Sequence, residues 1–229
     1  MVDADYSQIE LRVLAHVADD KAMQEAFKSG ADIHTATAAR VYGLPEMMIT
    51  PELRRSAKAV NFGIVYGIGA YSLSQDIKTS VAEAKRLIES YLEGFSGVAE
   101  YMKKTVENGE RDGFVSTLFH RRRTIPELNS KNKVLHALGE RVAMNTPIQG
   151  TAADIIKIAM NRVYARLKKD APDAKLILQV HDELIVECAE TDAEKVKAIL
   201  TEEMQAAAAL KVKLETDVHT GRTWLEAKG

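Results

Sequence analysis

The chain is expected to fold as α+β: an antiparallel sheet built from both ends of the sequence, with a large, mostly helical insertion between them. Three observations predict this. Short aliphatic runs bounded by polar residues, with the length of strands, lie near both termini. The middle of the chain carries apolar residues at helical spacing, with Ser or Thr opening some of the helices. No internal repeat, low-complexity tract or long linker interrupts either texture, and 229 residues suffice for one large domain or two small ones with an ample core.

Taken in order, Val2–Asp5 alternates apolar and polar residues, which puts Asp3 and Asp5 on one face of a strand. Helices are predicted over Ile9–Val17, Ala22–Lys28 and Ile33–Tyr42, with a loop at Pro45. Thr50 and Pro51 open the next helix as N-cap and first helical residue. It should run to about Tyr66, where Gly67-Ile68-Gly69 stops it. Ser80 and Glu83 form a capping box for a helix with Ala84, Leu87, Ile88 and Tyr91 inward. A further helix covers Val98–Asn108. Phe114–Thr117 and Thr124–Ile125 read as a hairpin or a pair of short strands around Arg121-Arg122-Arg123. Helices follow over Lys131–Asn145 and Thr151–Lys169, interrupted at Pro147 and Gly150. Strands are expected at Lys175–Val180, Leu184–Cys188 and Lys213–Val218, with a last helix capped by Thr191 and Glu194.

A hydrophobic content of 46% and a charged content of 28% are ordinary for a soluble globular protein. The single cysteine, Cys188, excludes an internal disulfide framework and fits a reducing cytoplasm. Neither a secretory leader nor a membrane-length apolar run is visible, so a cytoplasmic, non-membrane protein is expected. A net charge of −2 and a pI near 6.3 do not give the strongly basic footprint of a protein coated by nucleic acid. Positive charge is instead concentrated at Arg121-Arg122-Arg123 and at Arg54, Arg55 and Lys58. Such runs read either as solvated turns or as a local basic cleft.

Two stretches carry chemistry. In LILQVHDELIVEC, residues 176–188, two aliphatic strands meet at His181-Asp182-Glu183, where a hairpin usually carries Gly, Asn or Pro. If the strand ending in Asp5 lies beside this hairpin, two carboxylates from opposite ends of the chain meet at the sheet's edge. That arrangement is costly unless a divalent cation or a proton relieves the repulsion, and hard oxygen ligands of this kind suit Mg²⁺. In LRRSAKAVNFGIVY, residues 53–66, Leu53, Ala57, Val60 and Ile64 share one helical face. Arg54, Lys58, Phe62 and Tyr66 form a second stripe. Two cations followed by two rings read either as a surface helix packing its aromatics on a neighbour, or as charge for phosphates and ring faces for sugar and base.

DYSQIELR at 5–12, RRSAKAVNFGIVYG at 54–67 and QVHDE at 179–183 resemble, in order and spacing, the three motifs of family A DNA polymerases. TPIQGTAADIIK at 146–157 and the HRRR segment resemble that family too. The resemblance covers essentially the whole chain. It implies a palm at residues 1–15 and 129–229 and fingers at 16–128, and DNA-templated DNA synthesis by two-metal nucleotidyl transfer. Asp5 and Asp182 would be the metal carboxylates, with the Tyr6 backbone carbonyl as a further ligand, for two Mg²⁺ ions or Mn²⁺ in their place. Arg54, Lys58 and His34 would grip the triphosphate, with Lys58 also a proton donor to the leaving pyrophosphate. Phe62 and Tyr66 would line the sugar and base, with Gln8 among the nucleotide contacts. Glu10 matches the steric gate against a 2′-hydroxyl, a weak metal role being the competing reading. Arg141, Asn145, Gln149 and His181 match contacts to primer-template DNA. Glu183 would support the site, and Asp3 has no such role and reads as structural or solvent-facing.

The partners implied are primer-template DNA and deoxynucleoside triphosphates, acting on a monomer. Met1 stands four residues before Asp5, so the chain reads as a palm-and-fingers piece without the family's thumb, and one that need not polymerise alone. Two other functions remain open: a non-catalytic nucleotide or DNA-binding module, and a single-subunit RNA polymerase, against which Glu10 argues.

Overall fold

The computed structural model describes residues 1–228. Strand β1 (Val2–Tyr6) is followed by helices α1 (Ile9–Val17), α2 (Lys21–Lys28), α3 (Ile33–Tyr42), α4 (Pro51–Val65), α5 (Ala70–Asp76), α6 (Val81–Gly94) and α7 (Ser96–Asp112). A hairpin of β2 (Phe114–Ser116) and β3 (Arg122–Thr124) leads into α8 (Lys133–Asp170). The chain closes with β4 (Lys175–Val180), β5 (Glu183–Glu187), α9 (Ala193–Gln205), β6 (Thr216–Thr220) and α10 (Trp224–Ala227). The fold is α+β, as expected, and no helix among the described residues is long and apolar enough to cross a membrane.

Two compact units divide the chain: a sheet unit, Met1–Ile9 with the chain from Thr151 on, and a helical unit, Glu10–Gly150. In the sheet unit the strand order is β4-β5-β1-β6, all antiparallel. Alternation along β1 gives the sheet two different faces. Val2, Ala4 and Tyr6 are buried, and the Tyr6 hydroxyl donates to the carbonyl of Met204 in α9 at 2.6 Å. The apolar stripe Val196, Ile199, Leu200 and Met204 makes α9 the cover of that face. Asp3 and Asp5 point to the other face, where α10 packs against β1 and β6.

Sequence and structure agree in detail where local rules dominate. Thr50 and Ser80 accept a backbone N–H as N-caps of α4 and α6, as expected, and Asp20 and Asp32, which were not foreseen as caps, do the same for α2 and α3. Ala84, Leu87 and Tyr91 of α6 are buried as predicted, and Tyr91 packs on Phe95 with ring centroids 4.8 Å apart.

Four expectations need correction. The predicted break at Pro147 and Gly150 does not occur: α8 is one helix of 38 residues with Pro147 inside it. Its Ala143, Ile148, Thr151 and Ile155 are fully buried, so packing outweighs the lost hydrogen bond of an interior proline. Helix α5 was not anticipated; it starts at the very glycines read as a stop, with Gly69 as an N-cap that makes no side-chain bond. Thr191 does not cap α9; it lies in a short 3-10 turn and Asp192 holds the cap position. The last strand lies at Thr216–Thr220 rather than Lys213–Val218.

Candidate active site

The β4–β5 hairpin closes through His181 and Asp182, and Val180 pairs with Glu183 across it. His181 takes a left-handed φ of 51°, which costs a residue with a Cβ roughly 1–2 kcal/mol. Two bonds hold the loop: Gln179 Nε2 donates to the His181 carbonyl at 2.7 Å, and the Tyr6 amide donates to the Asp182 carbonyl at 3.2 Å. The second ties the hairpin tip to the end of β1 and brings Asp182 beside Asp5.

Register completes an acidic face. Asp5 lies opposite Glu183 on β5 and Asp217 on β6, and Asp3 opposite Ile185 and His219. Loss of water around the Asp5 carboxyl, then the charge of Asp182 and Glu183, raises its pKa to about 6. Asp182 is raised too, chiefly by burial. Asp3 is buried, and that burial with a hydrogen bond to Glu183 raises it to about 7. The solvent-facing alternative for Asp3 is thus wrong and the structural one stands. Glu183 is buried and held: Trp224 Nε1 donates to its Oε1 at 2.5 Å and Lys228 Nζ lies 3.5 Å from Oε2.

These carboxylates fit a divalent cation by chemistry, since crowded hard oxygens are relieved by one. Among the described residues no three His, Cys, Asp or Glu side chains gather as a metal cage. A cation at Asp5 and Asp182 would therefore draw further ligands from backbone carbonyls, water or a substrate's oxygens.

In the helical unit, α4 shows its two stripes. Ala57, Val60 and Ile64 are buried, Leu53 and Phe62 half-buried, and Arg54, Lys58 and Tyr66 exposed. Arg54 makes a two-pronged ion pair with Asp32, Nε to Oδ2 and Nη2 to Oδ1, each at 2.8 Å. Burial tends to raise Asp32, but the hydrogen bonds from Arg54 and Thr35 hold its carboxyl down at about 2. His34 is buried, 1% exposed. Its ring tilts against Phe62 at 5.9 Å, and burial, with the charges of Arg54 and Lys58, lowers it to about 4 against the opposing pull of Asp32.

The Tyr66 hydroxyl reaches Glu10, 3.2 Å from Oε2 and 3.5 Å from Oε1. Phe62, Tyr66, Gly67, Ser72, Asp76 and Arg141 line a cleft of about 500 Å³. On α8, Arg141 and Gln149 are exposed, while Asn145 donates to the Val65 carbonyl at 3.3 Å and so satisfies the C-terminal end of α4. Gln8 sits at φ 56° with its side-chain carbonyl buried and unbonded among the described residues. His181 is exposed.

Asp32, Asn61, Trp224 and Lys228 were missed as partners of these residues. Asn61 alone left a local sign: asparagine is a poor residue for a helix interior, yet here it is fully buried.

Residues 1–226 match the model of DNA polymerase family A. The chain is 51% identical to DNA polymerase I of Bacillus caldotenax over 98% of this chain and 26% of that protein. It is 50% identical to DNA polymerase I of Caldicellulosiruptor bescii over 100% of this chain and 27% of that protein. It thus spans about a quarter of the length of these curated relatives. Among solved structures it is similar to the POL domain of Pol1 from M. smegmatis in complex with DNA primer-template and dNTP. That likeness has a TM-score of 0.94 and 43% identity, covering 100% of this chain and 40% of that one.

Proposed function

Because the chain belongs to DNA polymerase family A, we propose that it serves DNA-templated DNA synthesis, the transfer of a deoxynucleotide from a dNTP to a primer 3′-hydroxyl. The observation that carries this reading is the pair Asp5 and Asp182, drawn from opposite ends of the chain to one sheet edge with both carboxyls raised. On this reading residues 1–15 and 129–229 would form the palm and residues 16–128 the fingers.

Asp5 and Asp182, with the Tyr6 carbonyl, would hold two Mg²⁺ ions, or Mn²⁺ in their place. Metal ions bound there would supply positive charge for phosphate oxygens and for a hydroxyl losing its proton. Glu183, held by Trp224 and Lys228, positions the edge that carries Asp182. Arg54, Lys58 and His34 bind the triphosphate, and Lys58 gives a proton to the departing pyrophosphate. Arg54 reaches phosphate only by exchanging its Asp32 partner, a like-for-like swap of one anion for another. Phe62, Tyr66 and Gln8 contact the nucleoside, and Glu10, steadied by Tyr66, excludes a 2′-hydroxyl. Arg141, Asn145, Gln149 and His181 bind primer-template DNA through its backbone, which suits a sequence-independent enzyme.

A second reading concerns the chain by itself. It corresponds to about a quarter of its curated relatives, which favours nucleotide binding without primer extension by the isolated 229 residues. Calorimetry of Mg²⁺–dNTP binding separates the cases, run on the wild-type chain, Lys58→Ala and Asp182→Asn, with circular dichroism to confirm folding. Saturable binding weakened roughly tenfold or more by either substitution is expected. A folded wild-type chain that binds no nucleotide would remove the proposed site from this segment.

A further inference from the structure

Between α3 and α4 lies a small polar network around His34, and Asn61, which no step above uses, is its hub. Asn61 and Thr37 are fully buried. Asn61 Nδ2 lies 3.1 Å from His34 Nδ1 and 3.1 Å from Thr37 Oγ1, and the Thr37 hydroxyl donates to Asn61 Oδ1 at 3.2 Å. We propose that Asn61 is a positioning residue that locks His34 in its Nε2–H tautomer, so that a neutral imidazole offers one hydrogen-bond donor to a phosphate oxygen of the incoming nucleotide. The inference rests on the reading of His34 as a triphosphate contact and deepens it.

The tautomer follows from what each atom carries. An amide nitrogen has protons and no accessible lone pair, so the ring nitrogen facing it must be the bare one. In a neutral imidazole the proton then sits on Nε2. That Nε2 is buried and has no hydrogen-bond partner among the described residues. Folded interiors seldom leave a donor in this state, because it has lost water and gained nothing. An arriving acceptor relieves the deficit.

Burial is the main reason the ring stays neutral, and the charges around it divide. His34 is the second residue of α3, and the positive end of a helix disfavours an imidazolium. Asp32 opposes this from the cap position, but it is engaged by Arg54, and Arg54 and Lys58 on α4 add positive charge. Phe62 packs against the ring from the same helix as Asn61. Attraction for phosphate is thus left to Arg54 and Lys58, and His34 contributes direction, one proton on one line. Mid-helix asparagine also finds its physical reason here: leucine would fill the space and leave both ring nitrogens undirected.

The test is nitrogen-15 NMR of the 229-residue chain labelled in its six histidines, with His34 assigned by His34→Gln. At neutral pH His34 should show a bare Nδ1 and a protonated Nε2; the reverse pattern overturns the proposal. In Asn61→Asp the carboxylate can only accept, so at pH 8 the proton should move to Nδ1 and Mg²⁺–dATP affinity should fall on the order of tenfold. An unchanged tautomer in that variant removes Asn61 as the cause. Should the variant not fold, the wild-type spectrum still decides. Saturating Mg²⁺–dATP should shift the Nε2 resonance. If the tautomer is as stated and Nε2 does not respond, the triphosphate role of His34 fails and the tautomer assignment stands.

Discussion

Glu10 and Tyr66 belong to different helical segments, yet the tyrosine hydroxyl lies within reach of both carboxylate oxygens. The gate proposed at Glu10 would have to be held in place, and this bond restrains its carboxylate. In a polymerase carrying this chain, Glu10→Ala should raise ribonucleotide incorporation relative to deoxynucleotide, and Tyr66→Phe should raise it by a smaller factor, roughly severalfold. Incorporation ratios for each variant check both; unchanged discrimination in Glu10→Ala would sink the gate. The same residues mark how far single positions were legible. The motif residues could be named from the sequence. That Asp32 occupies Arg54 and that Asn61 faces His34 could not, because each joins two helices whose relative rotation no local pattern encodes.

Glycine is the informative residue at the scale of elements, and it was read in only one of its two senses. Gly67 does end α4 as expected, with a left-handed φ of 65°. A Cβ there would also stand 2.9 Å from Met144 Cε and 3.0 Å from Arg141 Cγ. Gly67→Ala should therefore lower stability by about 1–2 kcal/mol from backbone strain alone, with the contact adding to it. Chemical denaturation measures this, and a neutral result would show that α4 and α8 can separate at no cost. Gly150, taken as a helix breaker, instead permits close approach: a Cβ would lie 2.6 Å from Thr117 Cγ2. Helix propensity is a weak prior against such packing, which is why α8 runs through both residues predicted to stop it.

Across the whole molecule, the acidic face makes stability depend on pH and on divalent ions. Asp3 and Asp5 rise from 3.8 to about 7 and about 6 on folding, so the folded state holds their protons more tightly than the unfolded chain. The stability this confers is complete below about pH 4 and is lost as pH rises through 6 and 7. His34, lowered from 6.5 to about 4, works in the opposite sense over that lower range. The carboxylate effect is therefore read as a difference: Asp3→Asn should gain melting temperature relative to wild type as pH goes from 5 to 8. A constant difference would show that Asp3 titrates alike in both states. Mg²⁺ should likewise raise the wild-type melting temperature more at pH 8 than at pH 5, since protons and cations compete for the same oxygens.

Fold class, most elements and the family were legible along the chain, because side-chain periodicity and capping chemistry act over a few residues and are written locally. Long-range packing alone sets Asp5 opposite Glu183 and Asp217, Trp224 on Glu183, and His34 buried against Asn61. Strand register and helix rotation are set by the packing of residues far apart in the chain. The protonation of a carboxyl or an imidazole depends on which of those distant residues come to lie beside it.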